Sequence, residues 1–293
     1  MQAITLGTGC PLPDPDRAGP ATLVRAEGLN LLFDCGRGVL MRAAAVPVGP
    51  SGFATVFLTH LHSDHVSDLN DVISMQWAMS IAAAPLRIVG PVGTADFVDR
   101  TLAMLRDDIG YRVTHHDDLN WQPLVQVTEV TDGVVWQQGG VCVRAEPTDH
   151  RPVRPTVGYR VEAEGLVVVI AGDTKPCEGL DRLCAGADVY VQTVVRRSAI
   201  EAFPVPRLLD VLDYHSDLAE AAATATRNEV GLLVLTHPVP APPVGSELEA
   251  EWVAETALGF AGEIVLAHDL QVFEVSNHNQ FLRGSHAGPT HAR

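Results

Sequence analysis

One seven-residue stretch, Thr59-His-Leu-His-Ser-Asp-His65, constrains this chain more than any other. Three histidines and an aspartate fall within six positions, directly after the apolar run Thr55 to Thr59. Such polar density at the end of a strand is costly to bury unless the side chains share a partner. Imidazole nitrogen and carboxylate oxygen are what divalent zinc accepts when thiolates are absent. A turn there can point His60 and His62 one way, and Asp64 and His65 another. One loop can then serve two adjacent metals, but it cannot complete both coordination shells.

The missing ligands should come from other strand ends, where a rigid scaffold presents its functional groups. Three residues meet that condition: His150 after the strand Val141 to Glu146, Asp173 after the apolar run Leu166 to Ala171, and His237 after Leu232 to Thr236. Further strands are expected at Gln2 to Leu6, Thr22 to Arg25, Leu31 to Asp34, Leu86 to Val89 and Val189 to Thr193, with more between Leu124 and Glu146. Tyr159 to Val161 and Leu166 to Ala171 read as a hairpin around Glu164-Gly165. Helices are expected over Gly38 to Val46, Val66 to about Ala83, Thr94 to Asp108, about Asp217 to Asn228, and Leu248 to Leu258. Strands followed by strand–helix alternation, repeated in each half, predict an α/β fold of the αββα sandwich type. The sandwich is expected over 1–275, with a polar, flexible tail over 276–293.

Five scattered cysteines without a Cys-x-x-Cys pair argue against disulfides and against a thiolate zinc site. Met1 to Gly7 has neither a basic region nor a long apolar stretch, and no apolar run reaches membrane-spanning length. A reducing cytoplasm and no membrane partner are the expectation. The formal charge of −16 opposes binding to a phosphate backbone and speaks against a nucleic-acid partner.

Several motifs then fall together: Gly7-Thr-Gly, Leu32-Phe-Asp-Cys-Gly36, the histidine loop, Ala171-Gly-Asp-Thr174, His215-Ser-Asp before an alanine-rich segment, and Leu235-Thr-His-Pro238. With these the chain resembles the metallo-β-lactamase superfamily from Ile4 to about Val275, in its ribonuclease Z and arylsulfatase-like branch. The resemblance implies one zinc on His60, His62 and His150, and a second on Asp64, His65 and His237, with Asp173 bridging. It implies that Asp34 braces the histidine loop from behind, and that His215 serves with Asp64 in catalysis, as proton donor to the leaving group. A hydroxide shared by the two zinc ions would be the nucleophile of such a hydrolase. A homodimer is common in the branch.

Two features steer the expected substrate away from RNA. Ribonucleases Z of the compact bacterial type carry a long tRNA-gripping arm between the equivalents of His150 and Asp173, which here lie only 23 positions apart. They also show His-Glu-Ala-Thr, where this chain has Gln192 and Thr193; either could hydrogen-bond His215, but neither supplies a carboxylate. The loop Pro11 to Pro20 is similar instead to arylsulfatase-like members. In it, Arg17 reads as a loop ion pair, or as a contact to an anionic substrate group. Ser74 to Met79 reads as core or as an apolar pocket wall, Pro238 to Pro243 as a stiff wall beside the site, and His115-His116 as solvated loop. The expected activity is therefore hydrolysis of a small ester, lactone or sulfate ester. The alternatives are a tRNA 3′-processing endonuclease and, third, a metal-binding or redox member of the fold.

Overall fold

The computed structural model describes residues 1–203 and 205–276. Strands β1 (Gln2–Gly7), β2 (Ala21–Ala26), β3 (Leu29–Phe33), β4 (Thr55–Phe57), β5 (Leu86–Pro91) and β6 (Val125–Val130) build most of one sheet. Strands β7 (Gly133–Gln138), β8 (Val141–Pro147), β9 (Val157–Ala163), β10 (Leu166–Ile170), β11 (Val189–Val195), β12 (Leu232–Val239) and β13 (Glu263–Leu266) build the other, and β14 (Gln271–Glu274) returns to the first beside β1. The spatial orders are β14-β1-β2-β3-β4-β5-β6 and β13-β12-β11-β10-β9-β8-β7. Pairing is parallel from β3 to β6 and from β10 to β13, and antiparallel elsewhere.

Parallel neighbours need crossovers, and these supply the outer layers. Helices α1 (Val39–Ala45), α2 (Ser63–Val66), α3 (Leu69–Ala78) and α4 (Thr94–His115) follow strands of the first sheet. Helices α5 (Glu178–Cys184), α6 (Arg197–Glu201), α7 (Pro206–Leu209), α8 (Leu218–Arg227) and α9 (Glu247–Thr256) follow strands of the second. The strand pleat divides the side chains between cores. Leu31, Phe33, Phe57, Val168 and Ile170 face the space between the sheets. Leu32, Val56 and Leu58 meet the first helical layer, and Val169 and Ala171 the second. Strands covered on both faces explain the nearly unbroken apolar runs in the sequence. The αββα sandwich is thus the observed architecture.

Some boundaries differ from the expected ones. The helix expected from Val66 to about Ala83 is two pieces ending at Ala78. Asp68 causes the break: its side chain accepts from Gly38 N at 2.6 Å and its amide donates to Cys35 O at 3.0 Å, which ties the helix start to the segment after β3. Helix α4 runs on to His115 because Ile109 packs in a separate cluster with Trp77 and Leu119. Trp77 is buried there and donates to Trp121 O at 2.8 Å, so that part of the Ser74–Met79 run is core. The expected tail lies outside the described residues, Ser276 apart. Among the described residues no helix is long and apolar enough to cross a membrane.

Candidate metal centre

The carboxyl ends of β3, β4, β8 and β10 open on one edge of the sandwich, and the loops leaving them carry Asp34, the His60–His65 loop, His150 and Asp173. His237 lies within β12, with its backbone in the left-handed region (φ 51°) and its amide donating to Thr8 O at 3.1 Å. That bond seats the Gly7-Thr-Gly segment against the site; the segment is packing, since a Cβ on Gly7 would sit 2.0 Å from Gly19 O.

These loops bring all seven expected ligands together in two groups. His60, His62, His150 and Asp173 offer ligand atoms within 4.8 Å of one another, and so do Asp64, His65 and His237. Asp173 joins the two groups. Its Oδ2 lies 3.8 Å from His60 Nε2 and His150 Nε2, 3.4 Å from His65 Nε2, and 3.8 Å from His237 Nε2. His62 Nδ1 lies 3.1 Å from His60 Nε2 and 3.2 Å from His150 Nε2.

Three of the rings, those of His60, His65 and His150, are held from behind. Asp34 Oδ1 accepts the Thr59 amide at 2.8 Å, and its Oδ2 accepts Thr59 Oγ1 at 2.9 Å and His65 Nδ1 at 2.8 Å. The Thr59 hydroxyl also lies 3.0 Å from His60 Nδ1. Tyr214 O holds His150 Nδ1 at 2.8 Å. With these three rear nitrogens engaged, Nε2 of His60, His65 and His150 faces the centre, toward Asp173. Beneath it, Tyr159 of the second sheet donates to Leu58 O at 2.7 Å, locking the two sheets together one residue before Thr59.

The electrostatics fall into two patterns. Burial pushes His60 and His62 down, and lowers His150 to about 4. Burial opposes charge on His65 too, but Asp173 and Asp34 outweigh it and hold His65 well above its ordinary value. His237 is likewise raised against burial, by Asp173 and by its 3.1 Å bond to Asp64. Burial opposes ionisation of Asp173, yet His237 and His65 hold it well below the usual carboxylate range.

The donor set fits a metal. Buried His65 Nε2, Asp173 Oδ1 and His237 Nδ1 have no hydrogen-bond partner. A buried polar atom left unpaired costs about 1–3 kcal/mol, and imidazole and carboxylate donors gathered without thiolate suit zinc.

His215 is buried at the edge of this cluster. Its Nε2 lies 3.2 Å from Asp173 Oδ2, its Nδ1 is 3.1 Å from Val211 O, and its ring stands 4.8 Å from that of His150. Gln192 and Thr193 do not reach it. Gln192 Nε2 donates to Thr193 O at 2.6 Å while its carbonyl accepts the Tyr190 hydroxyl, and Thr193 Oγ1 donates to Gly172 O at 3.0 Å. Arg17 is buried, donating to Glu249 at 3.0 Å, Thr8 Oγ1 at 2.9 Å and Ala267 O at 3.0 Å, so it is an internal ion pair. His115 and His116 are exposed at the end of α4. Tyr214 escaped the sequence reading. Its ring lies 5.3 Å from His150 and 4.7 Å from His215, and only its adjacency to His215 could have flagged it.

Residues 29–238 match the family described as the β-lactamase superfamily domain. A ribonuclease Z of Mycobacterium marinum is 56% identical over 277 residues, covering 94% of this chain and 99% of the relative. One from Mycobacterium avium is 54% identical, covering 94% and 98%. A metallo-β-lactamase fold protein of Bacillus subtilis superposes with a TM-score of 0.71 at 18% identity, covering 93% and 98% of the two chains. The short form of human tRNase Z gives 0.69 at 24% identity, covering 94% and 100%.

These relatives overturn two expectations: the small ester, lactone or sulfate-ester substrate, and the exclusion of nucleic acid. Proteins more than half identical along nearly the whole chain are ribonucleases. The missing arm misled because this chain spans 98–99% of those relatives, so a long inserted arm is no mark of the group. The net charge misled because it averages a whole surface and says nothing of one edge. The arylsulfatase likeness drawn from the N-terminal loop gains no support from these relatives.

Proposed function

The chain belongs to the metallo-β-lactamase superfamily and, within it, to the ribonucleases Z, and from that premise we propose that it hydrolyses a phosphodiester on the 3′ side of precursor tRNA, using two zinc ions. The 56% identity to a ribonuclease Z across 94% of the chain is the observation that carries the reading. His60, His62 and His150 would hold one ion, and Asp64, His65 and His237 the other, with Asp173 shared between them. Zinc bound there would acidify water and offset the charge gathering on the phosphate.

The chain's own groups do the rest. Asp34, Thr59 and the Tyr214 carbonyl fix the directions of the His65, His60 and His150 rings. Asp64 Oδ2, which accepts from His237 Nε2 at 3.1 Å, is held ionised and offers a carboxylate to a proton on the attacking water. His215 is the proton donor. Val211 O holds its Nδ1, so Nε2 is the atom that hands a proton to the leaving alkoxide. A main-chain carbonyl thus orients this histidine. Such a substrate is met in the cytoplasm, in keeping with five free cysteines.

The test is direct. Zinc-loaded protein is incubated with a 3′-extended tRNA precursor, and the cleavage position is mapped; nitrophenyl esters, lactones and aryl sulfates are run alongside. The reading expects one cut at the 3′ boundary of the tRNA body. No cleavage of the precursor by protein carrying its full zinc complement sinks it.

A further inference from the structure

Without a gripping arm, this acidic chain still needs cations where a phosphate backbone would cross it. Carboxylates outnumber cations 36 to 20, so a surface arginine readily finds an acid. Among the described residues six arginines form no ion pair: Arg25, Arg37, Arg87, Arg144, Arg154 and Arg207. Arg25 and Arg87 lie at the edge remote from the metal centre, opposite Asn30 at the start of β3 and near the start of β5, and Arg144 lies within β8. The other three are exposed, and all lie on segments that build the site.

Arg37 follows Asp34 by three positions, Arg154 follows His150 by four, and Arg207 precedes Val211 by four. The segments are bonded to the centre. Cys35 N donates to His65 O at 2.7 Å, two residues before Arg37. The turn bearing Arg154 is closed by Val153 N donating to His150 O at 3.0 Å. Its neighbour Arg151 is already spent on Asp149, with Nε to Oδ1 at 2.6 Å, so the acid beside Arg154 is neutralised from within the turn. Arg207 sits in α7, and the short 3-10 turn after it, Asp210–Asp213, contains the Val211 carbonyl that holds His215.

We propose that Arg37, Arg154 and Arg207 form a cationic rim that binds successive backbone phosphates of the RNA on both sides of the scissile bond, in place of an arm. The inference rests on the ribonuclease reading and deepens it. A guanidinium presents paired N–H donors that match phosphate oxygens, and no carboxylate has to be displaced first. Each phosphate contact releases condensed counterions, which makes the rim visible in the salt dependence.

The experiment measures KM and kcat for a 3′-extended precursor tRNA across a potassium chloride series. It uses zinc-loaded wild type, each of Arg37→Gln, Arg154→Gln and Arg207→Gln, the triple variant, and Arg87→Gln as a remote control. The triple variant should raise KM about ten- to a hundredfold near physiological salt and lower the slope of log KM against log salt by about two. Its kcat, zinc content and thermal midpoint should match wild type. Unchanged KM and slope in the triple variant, with wild type active, overturn the rim alone. An equal rise in KM for Arg87→Gln also overturns it, because a diffuse field then suffices. Wild type that cleaves no precursor overturns the rim together with the reading beneath it.

Discussion

His215 Nε2 lies 3.2 Å from Asp173 Oδ2, the same oxygen that contacts histidines of both ligand groups. The proposed proton donor and the proposed shared ligand are therefore in register, with the Val211 carbonyl rather than a carboxylate behind the histidine. Replacing His215 should separate chemistry from metal binding. His215→Ala is expected to keep wild-type zinc content and lose about a hundredfold or more in kcat, the usual share of a general acid. Zinc analysis with precursor cleavage rates checks both halves, and full activity in the variant removes His215 from the mechanism.

Asp34 touches no atom at the front of the site. It acts through Thr59 and His65, with its own backbone in the left-handed region at φ 60°. Loss of such an orienting group commonly costs about 10–100-fold in metal affinity. Asp34→Ala should show a loss of that size in competition against a chelator of known affinity. Affinity equal to wild type would mean that His65 needs no brace.

The sequence carried the site further than it carried the function. Polar residues at strand ends stand out against buried strands, so His60, His62, Asp64, His65, His150, Asp173 and His237, which the fold gathers into two groups, are legible from residue type and position. Tyr214 and the Val211 carbonyl could not, because one acts through ring packing and the other through the main chain, and neither leaves a residue-type signature. The break between α2 and α3 was hidden for a similar reason: Asp68 looks like any helical polar residue until it is seen bonded to Gly38. Substrate was misjudged because charge was counted over the whole chain, and a net charge of −16 does not say how charge is distributed at one edge.

The two groups of imidazoles should respond differently to acid. Burial keeps His60, His62 and His150 neutral, with His150 lowered to about 4, so these rings surrender no proton near neutrality when zinc binds. His65 and His237 are raised above the ordinary 6.5 by Asp173, Asp34 and Asp64, so they hold protons where a free imidazole has lost them. Zinc accepts only the unprotonated nitrogen. Uptake should therefore release protons at pH values just above 6.5, and affinity should weaken as pH falls through that range. Calorimetry in buffers of differing ionisation enthalpy counts the protons; zero release at neutral pH contradicts the assignment.

Gly172 tests how tightly the second sheet presses on the histidine loop. Its φ is +65°, and a Cβ there would lie 2.7 Å from Thr59 Cβ and 2.9 Å from Thr59 Oγ1. Thr59 is the residue that Asp34 grips and that lies against His60 Nδ1, so it cannot retreat without moving the ligands. Gly186 has nearly the same backbone conformation, at +61°, but a Cβ there meets nothing within 4 Å. Gly186→Ala should show the backbone cost alone, about 1 kcal/mol. Gly172→Ala adds the collision and should cost about 2–3 kcal/mol in total, together with weakened zinc binding. Thermal unfolding of the two variants side by side isolates the collision, and equal midpoints would show that Thr59 has room to move.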